Sequence, residues 1–165
     1  MRRRPARSPA TLQLQVRRRV RAWAPPRRDL TRWVATALGR GAAGGELGLA
    51  VVGAPESRRL NSQYRGRDCA TNVLSFPAPR PPPGAPVRAL GDLVICARVL
   101  RAEARAQAKT LRAHWAHLVV HGTLHLLGYD HVKVREATRM EQLETAILGG
   151  LGYEDPYLDG NRHDE

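Results

Sequence analysis

The sequence predicts an α+β (mixed α/β) fold: a single domain in which a small mixed four-stranded sheet is covered by about five helices. Three observations predict it. Residues 11–16 (TLQLQV) alternate polar and apolar, the period of a half-buried strand, and ELGLAVVG (46–53), ATNVLSF (70–76) and LGDLVIC (90–96) read as three more strands. Five other stretches carry apolar residues at helical spacing. The length, 165 residues, suits one domain rather than two.

After the first strand, Asp29 is placed to cap a helix running through LTRWVATAL, with Gly39 and Gly41 as its stop. Pro55 opens a second helix, PESRRLNSQYRG, with Leu60 and Tyr64 on one face. Six of the twelve residues in PAPRPPPGAPVR (77–88) are proline, so strands three and four are joined by a stiff, extended loop rather than a linker between domains. From Ala97 to Leu127 the pattern is helical in two pieces, breaking near Lys109–Thr110. Residues 134–149 form a last amphipathic helix with Ala137, Met140, Leu143, Ile147 and Leu148 inward. No repeat is visible. The domain is expected at residues 10–153, between a disordered basic tail (1–9) and a disordered acidic tail (154–165) that holds His163.

Hydrophobic residues make up 42% of the chain but aromatics only 5%, so the core must rest on Leu, Val and Ala. No apolar run approaches the ~18 residues of a membrane span, and the Arg-rich N-terminus lacks the apolar segment of a secretory signal. A cytoplasmic protein without membrane association is expected, an organellar one being the lesser alternative. Cys69 and Cys96 show no C-x-x-C spacing and read as reduced thiols rather than a disulfide framework or a zinc ribbon. The net charge is +12, and it is unevenly placed: residues 1–70 hold 16 Lys/Arg against 4 Asp/Glu, residues 136–165 hold 2 against 8. That asymmetry points to a polyanionic partner, nucleic acid first. Lys109 and Lys133 are the only lysines; codon bias can explain the preference for arginine over lysine, but it does not explain the net charge.

Half of the six histidines fall in HGTLHLLGYDH (121–131). Residues four apart share a helical face about 6 Å apart along the axis, so His121 and His125 can reach one ion between them. A third ligand farther along the same rod could not converge. Gly128 lets the chain turn, because glycine accepts the left-handed conformation that ends helices, and His131 then enters from the loop. A straight set of 117, 121 and 125 spans about 12 Å of rise, too long for one ion, so His117 reads as a residue that packs or orients a ligand. His114 reads as solvated or core. Three neutral imidazoles leave a fourth position open on tetrahedral zinc, the arrangement of a catalytic site. Another divalent ion such as nickel would also suit imidazole.

The spacing H-x3-H-x2-G-x2-H is that of metzincin proteases, in which a glutamate follows the first histidine as general base. Here that position is Gly122, which makes a zinc metallopeptidase-like hydrolase the weakest reading. Arg65, Arg67 and Asp68 lie in a turn between a helix and a strand. An arginine there suits two-point contact with phosphate. The bland readings are a solvated loop charge for Arg67 and an ion pair with Asp68 or Asp92 for Arg65. Asp130 is placed to hold either a turn or the second nitrogen of a ligand.

Taken in order, LNSQYRGRDCATNVLSFP, LGDLVIC and HLVVHGTLHLLGYDH resemble the YbeY family of bacterial endoribonucleases and rRNA maturation factors, over roughly residues 10–153. The resemblance implies a single-strand-specific, metal-dependent endoribonuclease acting at the 3′ end of small-subunit 16S rRNA and in late ribosome quality control. It implies His121, His125 and His131 as metal ligands and Arg65 as the functional arginine. Arg67 is taken as a second RNA contact, and His117, Asp130 and Asp92 as supporting residues. Ribosomal RNA, ribosomal proteins and a ribosome-assembly GTPase are the implied partners. Cys69, Asn72 and the long proline-rich loop depart from the family pattern without touching a ligand. The alternative of a different class is an RNA-binding ribosome assembly factor with little intrinsic catalysis.

Overall fold

The computed structural model describes residues 11–39, 44–85 and 87–158. Four strands and five helices follow one another as β1 (Leu12–Arg18), α1 (Arg27–Leu38), β2 (Gly45–Val52), α2 (Ala54–Arg65), β3 (Val73–Pro77), β4 (Ala89–Cys96), α3 (Ala97–Ala106), α4 (Leu111–Leu126) and α5 (Val134–Gly150). The sheet order is β1-β2-β4-β3. β1 and β4 both run parallel to β2, and β3 pairs antiparallel with β4 at the edge. The small mixed sheet under five helices is thus the α+β architecture that the patterning predicts.

Helix α4 organises the core. Twelve of its sixteen residues are buried, from His114 to Leu124 without a gap. A helix enclosed on all sides carries no amphipathic stripe; α1, α3 and α5 pack around it, and its remaining side lies on β3 and β4. Gly122 makes the last contact close. A Cβ at this position would lie 2.8 Å from Leu93 Cδ2 and 3.2 Å from Val73 Cγ2. The Ser75 hydroxyl donates to the Gly122 carbonyl at 3.2 Å. Successive strand residues point to opposite faces, so Val73, Ser75 and Leu93 face α4, while Phe76 and Asp92 face away from it. Phe76 meets Tyr64 of α2 edge-on, ring centroids 5.0 Å apart. Helices α4 and α2 therefore flank the edge strand β3 from opposite sides.

Several boundaries differ from expectation, each for a local reason. Asp29 does not cap α1; the helix begins at Arg27 after Pro26. Asp29 sits in the first turn and accepts a hydrogen bond from Arg112 of α4 at 2.8 Å. The third strand starts at Val73 rather than Ala70, because the preceding residues are tied to α2. The Ser57 hydroxyl donates to the Thr71 carbonyl and accepts from the Thr71 N–H, and the Asn61 amide donates to the Cys69 carbonyl. The break between α3 and α4 falls where expected. Ala108 has φ 52°, and Thr110 caps α4 by accepting from the Ala113 N–H at 3.1 Å.

Gly39 does end α1, with φ 68°; Gly41 and residues 1–10 and 159–165, including His163, lie outside the described residues. Residues 154–158, which the sequence assigns to the acidic tail, form a turn that packs on the domain. Pro156 is buried and its carbonyl accepts from Lys109 Nζ at 3.0 Å. Both cysteines are free, Cys69 exposed and Cys96 buried. Among the described residues, no helix is long and apolar enough to cross a membrane.

Candidate metal centre

His121 and His125 lie one turn apart near the end of α4, and their Nε2 atoms are 3.0 Å apart. Two nitrogens bound to one tetrahedral zinc at about 2.05 Å would be separated by about 3.3 Å, so the pair needs little movement to share an ion. The helix ends at Leu126, and Gly128 takes φ 95°. No atom crowds the place of its missing Cβ, so it is the backbone conformation and not space that calls for glycine. The turn returns His131 to the pair, with ring centroids 4.9 Å from His125 and 6.0 Å from His121. Ligand atoms of the three rings all lie within 4.8 Å of one another. His121 is buried and the other two half-buried, so the cluster opens to solvent on one side.

Behind His121 stands a residue that the sequence pattern does not single out. Glu144 of α5 is fully buried. Its Oε1 faces His121 Nδ1, and its Oε2 accepts from His117 Nε2 at 3.1 Å and from the Tyr157 hydroxyl. An unpaired buried carboxylate would cost several kcal/mol; here three donors meet it. Burial works to raise the Glu144 carboxyl, but hydrogen bonds from His117 and His121 outweigh it and hold the group well below the usual carboxylate range. Burial, followed by the Glu144 charge, pushes the Tyr157 hydroxyl far up, so it stays a donor.

An ionised carboxylate only accepts, and the ring nitrogens facing it must therefore carry protons. For His121 this places the proton on Nδ1 and the lone pair on Nε2, toward His125 and His131. His117, His121 and Glu144 also lie close enough to count as a ligand set, but they are enclosed, and the hydrogen bonding already accounts for them as the support of His121. The donor set fits a divalent ion with imidazole preference: three neutral nitrogens, one of them oriented by a carboxylate.

The other expected residues separate clearly. His117 is buried and hydrogen-bonds the same Glu144 carboxylate that faces His121. Asp130 holds the turn, its Oδ1 accepting the His131 backbone N–H at 2.7 Å. Asp92 is exposed on the sheet face turned away from α4, its carboxylate lying across Gly48 of β2. Arg65 ends α2, where Gly66 caps the helix at φ 67°, and both Arg65 and Arg67 are exposed. Asp68 is held by Arg58 in a two-point pair, 2.7 Å at each oxygen. His114 is buried, its Nε2 2.7 Å from the Glu103 carboxylate, which also accepts from Asn72. Gly122, where a metzincin would carry its base, faces Leu93 and Val73 in the core, so a side chain there would be directed into the core.

The sequence signal for Glu144 is faint. It lies four residues from both Met140 and Leu148, in the middle of the buried stripe of α5. A carboxylate at such a place requires a buried partner.

Comparison with known proteins agrees with this geometry. The family described as Endoribonuclease YbeY matches residues 22–152. Proteins named Endoribonuclease YbeY from Bordetella pertussis and Bordetella bronchiseptica are each 56% identical over 140 residues, covering 81% of this chain and 87% of theirs. A solution structure from Thermotoga maritima shares the fold at a TM-score of 0.55 and 20% identity, covering 93% of this chain and all of that one. With the family match spanning most of the described domain and the three histidines in place, the chain belongs to the Endoribonuclease YbeY family.

Proposed function

We propose that this protein is a metal-dependent endoribonuclease that cuts single-stranded RNA during maturation of the 3′ end of small-subunit 16S ribosomal RNA and in late ribosome quality control. The observation that carries this reading is the open three-imidazole cluster with Glu144 seated behind it. Family membership supports the reaction class, and the net charge of +12 suits a polyanionic substrate. Zinc is the ion best matched to three imidazoles and an open position, with nickel the alternative. Ribosomal proteins and a ribosome-assembly GTPase are the partners this role calls for, in the bacterial cytoplasm.

His121, His125 and His131 would hold a divalent ion, which would supply Lewis acidity toward a phosphate oxygen. The chain's own residues do the rest. Glu144 keeps the His121 proton on Nδ1 and the ring in one orientation. Gly128 and the Asp130 turn bring His131 to the open side of the cluster. Arg65, at the end of α2, stabilises the negative charge that develops on the phosphate, and Arg67 holds the neighbouring strand. Side chains aimed in advance at developing charge lower the barrier without reorganising during the reaction.

The test is cleavage of an rRNA precursor fragment by the zinc-loaded protein, by Arg65→Ala and by His121→Ala, with folding checked by circular dichroism. Arg65→Ala should retain RNA binding within a few-fold and lose cleavage by about 100-fold, a loss typical of removing one charge-stabilising group. If metal-loaded wild type binds the fragment and never cuts it, the protein is an assembly factor and not a nuclease.

A further inference from the structure

The molecule carries a second feature suited to phosphate, lined by none of the three clustered histidines. Where the first turns of α2 meet the start of α3, an open cavity of about 610 Å³ is lined by Pro55, Arg58, Arg59, Ser62, Asp68 and Arg98 among others. The acidic groups nearby are already engaged: Asp68 pairs with Arg58, and Glu56 pairs with Arg19. Among the described residues, neither Arg59 nor Arg98 has a carboxylate within ion-pair distance, and both are exposed. From Arg98 the positive charge continues along α3 through Arg101 and Arg105, also exposed. Intervals of three and four residues put these arginines on one helical stripe, stepping about 4.5 and 6 Å along the axis. That is the scale of one to two stacked nucleotides at about 3.4 Å each.

We infer that the α2–α3 face is an RNA-docking track, distinct from the metal site, that holds the phosphate backbone of substrate outside the scissile segment. Arg59 and Arg98 form its phosphate-binding pocket, and Arg101 and Arg105 extend it. Guanidinium forks match phosphate oxygens in two-point geometry, and a single-stranded nucleic acid presents one such anion at every residue along the stripe. No aromatic side chain lines the cavity, so there is no platform for a base to stack on, and the track reads charge rather than sequence. Helix α2, which carries Arg59, lies across edge strand β3 from the histidine helix. An RNA occupying both places must therefore pass round that edge, so only a strand longer than the metal site reaches the track.

The inference rests on RNA being the substrate, and the experiment separates the two. Fluorescein-labelled single-stranded RNAs of 6 and 20 nucleotides are bound and cleaved by zinc-loaded wild type and by the Arg59→Glu/Arg98→Glu double variant between 50 and 200 mM salt. Expected are a loss of at least tenfold in affinity for the 20-mer and a log–log salt slope shallower by about 1.4, at ~0.7 for each of the two phosphates no longer neutralised. Cleavage of the 6-mer should be unchanged, which also reports that the variant is folded and its metal site intact. An unchanged slope and affinity for the 20-mer overturn the track; so does loss of 6-mer cleavage, which would make the face part of the active site. If a 20-residue polyglutamate displaces the 20-mer from wild type at equal charge concentration, the face takes an acidic protein instead. Failure of wild type to cut either RNA refutes the nuclease reading as well.

Discussion

Replacing Glu144 by glutamine should weaken metal binding by 10- to 100-fold while leaving the three ligands untouched in sequence. The change is nearly isosteric, so packing around the fully buried side chain is kept. What changes is hydrogen-bond polarity. The carboxylate accepts at both oxygens, from His121 on one side and from His117 and Tyr157 on the other. A glutamine offers one oxygen and one N–H2 group, so one side must meet a donor with a donor. If the amide nitrogen faces His121, the imidazole relieves the clash by moving its proton to Nε2, which removes the lone pair that the ion needs. If it faces His117 and Tyr157, His121 keeps only a neutral acceptor where it had an ionised one, and its basicity falls.

Removing a carboxylate that orients a metal-bound histidine costs 10- to 100-fold in affinity, equivalent to about 1.4–2.7 kcal/mol. The unmatched donor adds about 1–3 kcal/mol to the loss of fold stability. Zinc affinity measured by competition with a chromophoric chelator tests the first figure, and nitrogen-15 shifts of the His121 ring report the tautomer. Zinc affinity within twofold of wild type, with the His121 proton still on Nδ1, would refute the reasoning. A role confined to packing would lower the melting temperature without moving either readout.

Three other outcomes follow from the same geometry. Gly122→Glu, which restores the metzincin residue, should create no peptidase activity and should destabilise the fold by more than about 3 kcal/mol, because it drives a charge against Leu93 and Val73; urea denaturation measures this. Gly128→Ala has room for its methyl group but not the backbone freedom for φ 95°. It should cost about 1–2 kcal/mol and weaken zinc binding several-fold, because His131 follows that turn. Chelator treatment should abolish RNA cleavage, with recovery on adding zinc, while the far-ultraviolet circular dichroism spectrum is retained. The apolar core around Trp33, Trp115 and Leu93 contains none of the three histidines; collapse of the helical signal on chelation would show the metal to be structural.

How much of the molecule is legible in its residues depends on how far apart the cooperating groups lie. Strand alternation, the break at Lys109–Thr110 and the last helix are local patterns, and they fall within a few residues of the observed elements. The apolar pattern starts the third strand three residues early because Ser57 and Asn61, more than a strand's length upstream, claim the backbone before it. Asp29 carries a capping residue's chemistry, yet it serves Arg112, a residue brought to it by the packing of α4 on α1.

The convergence of His121, His125 and His131 was legible in sequence alone, because its geometry is local: an interval of one helical turn, a glycine that permits reversal, and a third imidazole three residues later. Only the tertiary structure decided what stands behind the trio and what surrounds it. Glu144 and Tyr157 reach His121 and His117 from helices and turns 23 to 40 residues away, and the arginines of α2 and α3 form one face only once both helices are seated. A helix constrains neighbours at three and four residues through fixed covalent geometry. Contacts between elements depend on how the whole core packs, and a single chain's residue order does not spell that out.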